Sequence, residues 1–192
     1  MRIRNAIWLV VMVEIAVGIL GWLNYGSTLQ ALQATTRFSG RFSLIIFSFI
    51  FLFHNSTKFK LENILSPKYF LIFAIAHAIH LAELLSFVIL SGNKLIPVRL
   101  AGGFLAYVII FAMPWLDTRY HQGHITIKKY NLIIWTYLIY VWFIFFMSYL
   151  PRVQGKLPNV GGNYAEFVIL LTWVSAMMGI KIQQLIMSST KR

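Results

Sequence analysis

Long apolar stretches that recur along the chain constrain its fold more than any other feature. A helix needs about 20 mostly apolar residues to cross a bilayer. Only 11% of the residues are charged, and the mean hydropathy is +0.73. Because lipid offers no hydrogen bonds to an exposed backbone, the sequence predicts an all-α integral membrane bundle of about six transmembrane helices, forming one domain over residues 1–192. The predicted spans are 6–23, 42–53, 69–90, 95–116, 131–150 and 165–187.

Two of these spans require a choice. The first follows Arg2 and Arg4, as a signal peptide would, but its apolar part is too long and no small-residue cleavage site follows it. We expect it to be a retained span. The second has an apolar core of only about a dozen residues, which also fits a re-entrant or buried segment. We count it as a span because the loop charges then divide consistently.

The basic residues are spread over all the loops. The chain has 17 Lys and Arg residues, 5 Asp and Glu residues and a net charge of +12. This distribution predicts contact with anionic lipid and no nucleic-acid partner. Eleven basic residues fall on the side of both termini, which the positive-inside rule places in the cytoplasm. We expect the membrane to be a bacterial inner membrane. The eleven are Arg2, Arg4, Lys58, Lys60, Lys68, Arg119, Lys128, Lys129, Lys181, Lys191 and Arg192, and the other six are Arg37, Arg41, Lys94, Arg99, Arg152 and Lys156.

The third span carries the strongest functional signal. His77, His80 and Glu83 are three residues apart, so a helix places them on one ridge. Polar groups at membrane depth are costly and mark candidate functional sites. Imidazole is a common ligand of haem iron and other metals. The alternative is a polar ridge that only joins neighbouring helices. Glu14, in the first span, should also face protein rather than lipid.

Other groups limit the chemistry further. The chain has no cysteine, which excludes disulfides, thiolate metal sites and covalent c-type haem. His121 and His124 form a second His-x-x-His pair, which could indicate a di-iron protein. One pair lies at mid-membrane and the other in a loop, so a solvated loop pair is the better interpretation.

Several segments, in order, resemble the ferric-reductase-like transmembrane family. Phe-Ser-Gly-Arg-Phe-Ser-Leu at 38–44 is similar to the family's entry into its second span. Phe-Ala-Ile-Ala-His-Ala-Ile-His-Leu at 73–81 is similar to its third-span motif, in which a histidine before Leu ligates haem. A basic loop ending in Ile-Lys-Lys-Tyr-Asn at 127–131 follows the family's order.

The resemblance implies a haem b site. His80 matches the family's haem ligand and His77 is an additional histidine, so both are candidate ligands of the haem iron. Glu83 would support a ligating histidine, and Arg41 with Arg37 would pair with haem propionates. These arginines are predicted on the non-cytoplasmic side, with His77 toward the cytoplasmic half, so the two groups are expected at different depths.

The fifth span departs from the family. Relatives carry Leu-His after the basic loop and a second histidine about 13 residues later. Here the corresponding positions are Tyr130-Asn131 and about Ile144. A haem held by histidines of both the third and fifth spans is therefore not available to this chain.

Three functions stay open at this stage. The first is a haem b subunit that exchanges electrons with a membrane or redox partner subunit, because no glycine-rich nucleotide loop is present. The second is a haem-free structural subunit of a membrane complex. The third is a small proton or cation transporter. The sequence assigns no catalytic residue and leaves open whether the protein is an enzyme.

Overall fold

Six long α-helices make up the fold. The computed structural model describes residues 2–54, 61, 65–92, 97–157 and 161–189, with the backbone alone at 97–100 and 188–189. Within these residues it contains helices and no strands, and all six helices are long and apolar enough to cross a membrane. The predicted fold class is confirmed. The helices are α1 (Ile3–Tyr25), α2 (Thr28–Phe53), α3 (Tyr69–Ser91), α4 (Pro97–His121), α5 (Ile127–Val153) and α6 (Tyr164–Ser189).

Two predicted boundaries were wrong. The second span was expected to start at Phe42, but α2 begins at Thr28 and includes Arg37 and Arg41. The first half of α2 was left out because it is rich in polar residues. Thr35, Thr36 and Ser39 are buried in the structure, and mean hydropathy cannot distinguish polar residues that face other helices from polar residues that face water. The fourth span was expected to end at Leu116, shortly after Pro114, yet α4 continues to His121. A proline removes one helical hydrogen bond, which neighbouring groups in a membrane helix can compensate.

A tight turn joins α1 to α2. Gly26 ends α1 with a positive φ of 62°, the left-handed conformation that favours glycine at a helix C-terminus. Ser27 then caps α2, and its hydroxyl accepts a hydrogen bond from the backbone N–H of Gln30. Since only two residues separate the helices, α1 and α2 are antiparallel neighbours.

Helix α2 lies at the centre of the bundle, where it packs against α1, α3, α5 and α6. Phe47 is fully buried there, and its ring lies 5.6 Å from Phe73, 6.5 Å from Tyr137 and 5.4 Å from Phe145, measured between centroids. Aromatic side chains therefore connect α2, α3 and α5. The groups described below lie beside this core.

Large apolar side chains cover the outside of the bundle. Leu23, Ile89, Phe104 and Leu132 are among the most exposed. A soluble monomer rarely exposes apolar patches of this extent, whereas lipid is a favourable environment for them. The structure thus has the surface of an integral membrane protein.

Several residues used to predict the topology lie outside the described part of the chain. These are Lys58, Lys60, Lys94, Lys191 and Arg192, together with the side chain of Arg99. The orientation of the termini stays a prediction.

A buried histidine, His54, lies at the end of α2 opposite the α1–α2 turn. His54 caps the C-terminus of α2, and its Nδ1 lies 2.9 Å from the Tyr69 hydroxyl. Lys181 of α6 is also buried there, and its Nζ lies 5.8 Å from the ring centroid of Phe51 and 5.6 Å from that of Trp135. Burial, and secondarily the positive charge of Lys181, lowers the pKa of His54 to about 4.

This histidine predicts a loss of stability in acid. An unfolded histidine has a pKa of about 6.5, so between that pH and about 4 the unfolded chain binds the proton more readily than the folded one. As the pH falls through this window, protonation of His54 in the unfolded chain should therefore lower the free energy of unfolding. We expect the apparent melting temperature of His54→Gln to fall less between pH 7 and pH 5 than that of the wild type. The exposed His124→Gln serves as the control, and equal slopes in all three proteins would contradict the prediction.

Candidate functional site

The two histidines of α3 lie next to each other but have different surroundings. Their ring centroids are 5.4 Å apart. His77 is enclosed by aromatic rings, with centroids 5.1 Å away at Phe73 and Tyr107 and 6.1 Å away at Phe145. His77 is therefore a buried core residue in this conformation, with its Nδ1 lacking a hydrogen-bond partner.

His80 packs against a glycine of α2. A Cβ atom placed on Gly40 would lie 3.0 Å from the His80 Cε1 atom, closer than most side-chain contacts. The backbone of Thr36, one turn earlier in α2, also lies beside the imidazole. The Nδ1 atom of His80 is buried and has no hydrogen-bond partner. Gly40 thus allows the imidazole to approach the α2 backbone closely.

This contact corrects the expected depth of Arg41, which was predicted at the non-cytoplasmic start of the second span. Arg41 follows Gly40 directly, and α2 continues in both directions from this point. His80 and Arg41 therefore lie at similar depth in the bundle. The expectation failed because it assumed that α2 starts at Phe42.

A cavity of about 230 Å³ opens beside His80. Four helices, α2, α3, α5 and α6, contribute to its wall. Its most polar residues are one imidazole, three arginines and a tyrosine, and apolar side chains complete the lining. The lining residues are Thr36, Arg37, Gly40, Arg41, His80, Leu84, Phe145, Ser148, Tyr149, Arg152 and Phe167.

The N-terminus of α6 holds Arg41 in place. Asn163 accepts a hydrogen bond from the Ala165 N–H at 3.0 Å, and its own N–H donates to the Glu166 carboxylate at 3.3 Å. This reciprocal pattern is a capping box. The same carboxylate oxygen accepts a hydrogen bond from the Arg41 guanidinium at 2.6 Å. The start of α6 is thereby joined to α2.

The other two arginines have no carboxylate partner among the described residues. Arg152 donates a hydrogen bond to the carbonyl of Ser148 and lies over the ring of Phe167, 5.7 Å from its centroid. The Nε atom of Arg37 is buried without a hydrogen-bond partner, and a Cβ atom on Gly161 would overlap its guanidinium. Gly161 has a φ of +61°, so glycine suits that position on two grounds.

The cavity is consequently electropositive. Three guanidinium groups and one carboxylate lie at or beside it, and guanidinium is always charged in proteins. Desolvated charges need counter-charges. Guanidinium groups pair with carboxylates and phosphates through two parallel hydrogen bonds. The arrangement favours a ligand with at least one such anionic group.

Glu83 accepts no hydrogen bond from the Nδ1 atom of either histidine that it was expected to support. Neither His77 nor His80 has a hydrogen-bond partner at Nδ1, so the carboxylate accepts no bond from those atoms. Glu83 lies instead close to Glu14 of α1 and to the Ser39 hydroxyl of α2. Its role in supporting a ligating histidine stays a prediction.

No metal-binding cluster forms among the described side chains, since no three His, Cys, Asp or Glu residues come together there. His121 lies 3.6 Å from Asp117 at the end of α4 and lines a different cavity. The structure therefore does not bring the two His-x-x-His pairs into one site.

Sequence reasoning missed Arg152 and Tyr149 as cavity residues and Glu166 as the partner of Arg41. Arg152 follows Pro151 and was assigned to a loop, but α5 continues to Val153. The Asn163-x-x-Glu166 spacing was a detectable signal of a capping box. Its connection to Arg41, 125 residues earlier, is a tertiary contact without a local sequence signal.

Comparison of the chain with protein-family models, with curated proteins and with solved structures found no match. The resemblance to ferric-reductase-like proteins thus depends on the motifs themselves.

Proposed function

We propose that this protein binds haem b in the membrane and carries electrons, with His80 as the axial ligand. The observation that carries the proposal is the position of His80. Its imidazole reaches the wall of an arginine-lined cavity and has an unpartnered buried nitrogen. Neutral imidazole with a free nitrogen is the usual protein ligand of haem iron.

The arginines supply the matching charge. A haem b carries two propionate carboxylates, and within the described residues Arg37 and Arg152 form no close ion pair with a carboxylate. Arg41, already paired with Glu166, can form a further hydrogen bond because guanidinium has five donors. Arg37, Arg41 and Arg152 would therefore hold the propionates, and His80 would hold the iron. When bound, the haem supplies one reversible electron between its ferric and ferrous states.

The different surroundings of His77 and His80 favour different roles for the two histidines. His80 is the cavity residue, whereas His77 is packed among Phe73, Tyr107 and Phe145. We assign His77 the supporting position beside the ligand. Electrons would reach the site from a partner subunit or a membrane-soluble carrier, because the chain has no nucleotide-binding loop. We place the protein in a bacterial inner membrane with both termini in the cytoplasm, as the distribution of basic residues favours.

A haem-free structural subunit is the second candidate, and two observations favour it. The cavity of about 230 Å³ lies below the range of about 300–1,000 Å³ typical of pockets for drug-sized ligands, so the helices would have to separate to admit a porphyrin. The fifth helix also has Asn131 and Ile144 where relatives carry histidines. In this case the protein would contribute helix packing to a larger membrane complex.

An absorbance spectrum decides between the two candidates. The full-length protein would be expressed with ample haem supply, purified in detergent and measured as a reduced-minus-oxidised difference, with a pyridine haemochrome assay for the type of haem. We expect a Soret band and a haem b haemochrome. A flat spectrum from folded protein would refute haem binding and leave the structural subunit.

A further inference from the structure

Two carboxyl groups on different helices interact with each other inside the bundle. Glu14 belongs to α1 and Glu83 to α3, two helices that pack against each other. The carboxyl groups are close enough to interact electrostatically. Glu14 lies near the middle of α1, so the pair is placed deep in the membrane, far from bulk water.

A serine of α2 lies between the two carboxyl groups. The Ser39 side chain is fully buried, and its hydroxyl faces both Glu14 and Glu83. The buried oxygens of this group have no hydrogen-bond partner in the described structure: Glu14 Oε1, Glu14 Oε2, Glu83 Oε2 and Ser39 Oγ. Three of these four atoms are carboxyl oxygens, which need a hydrogen donor because an ionised carboxylate is only an acceptor.

Positive side chains do not neutralise this pair. The described ion pairs join Arg41 to Glu166 and His121 to Asp117, and neither includes Glu14 or Glu83. The nearest titratable group along α3 is His80, one turn before Glu83, and it packs against Gly40. Two adjacent carboxylates cannot both stay ionised in a medium of low dielectric constant.

We propose that Glu14 and Glu83 form a proton-binding site in the middle of the membrane, in which the two carboxyl groups share one proton beside Ser39. The protonated carboxyl group donates to its ionised partner, and the serine hydroxyl donates to the remaining carboxylate oxygen. One proton therefore supplies the missing donor and halves the buried charge. Carboxyl groups in this position serve as proton relays in membrane proteins. The site does not depend on haem binding.

Infrared spectroscopy of the detergent-purified, full-length protein tests this site at neutral pH. A protonated carboxyl group has a carbonyl band separate from the amide bands, and the chain has only five Asp and Glu side chains. The spectrum of the Glu14→Gln/Glu83→Gln double variant gives the baseline. We expect the carbonyl band of the wild type and that of each single variant to exceed this baseline by the same area. A single variant keeps the band because a lone buried carboxyl group also keeps one proton.

Two results would overturn the proposal. A wild-type band area twice that of each single variant would mean that both groups are neutral acids. A wild-type band equal to the double-variant baseline would mean that both are ionised. Glu166→Gln is the matched control and should leave the band unchanged, because Glu166 is paired with Arg41. If a Gln variant does not fold, Glu83→Asp replaces it, because this variant keeps a carboxyl group. The proposal then requires that its carbonyl band is shifted relative to that of the wild type.

Discussion

Replacing His80 with alanine is expected to abolish the haem b absorbance of the purified protein. The variant removes the only imidazole that lines the described arginine-walled cavity, so the iron loses its proposed protein ligand. The arginines stay in place, but propionate contacts alone do not ligate iron. The readout is the Soret absorbance per mole of folded protein, with the pyridine haemochrome assay as a second measure.

The variants His77→Ala and His121→Ala are the controls, which test whether the loss of the Soret band is specific to His80. His77 packs among aromatic rings, so its removal should lower the melting temperature and leave a Soret band. His121 is exposed at the end of α4, so its removal should change neither. A band that survives in His80→Ala and disappears in His77→Ala would transfer the ligand role to His77.

The class of the fold could be predicted from sequence because its cause is local. Each of α1, α3 and α6 is predominantly apolar along its length, and their predicted bounds lie within a few residues of the structure. Apolar length alone determines whether a helix can span a membrane. Helix α2 is different, because its first half carries polar residues toward other helices.

The candidate site was only partly predictable for the same reason. His80 and Glu14 stood out because polar groups are rare at membrane depth. The position of Arg152 depends on how far α5 extends, and the pairing of Arg41 with Glu166 depends on how α6 meets α2. The interaction of Glu83 with Glu14 joins two different helices. Spacing along one helix cannot reveal such contacts.

Substituting Gly21 with valine should destabilise the protein more than any other single glycine replacement in α1. A Cβ atom on Gly21 would overlap the hydroxyl oxygen of Thr35 and lie 3.0 Å from the backbone carbonyl oxygen of Ala31. Small residues allow membrane helices to approach closely, and here the opposing carbonyl belongs to the backbone of α2. The side chain of Thr35 can rotate, but the backbone cannot withdraw unless α1 and α2 separate.

We expect the loss to be about 3 kcal/mol, the upper part of the usual range for overpacking, because α2 is also the central helix of the bundle. Gly18→Val is the matched control: it lies one turn away in the same helix, with no atom within 4 Å of its added Cβ. Both variants change helix propensity equally, so the difference between their apparent melting temperatures isolates the contact with α2. Equal melting temperatures would show that α1 does not pack on α2 through Gly21. Since α1 carries Glu14, a separated α1 should leave Glu83 as a lone carboxyl group, with the infrared band area expected for Glu14→Gln.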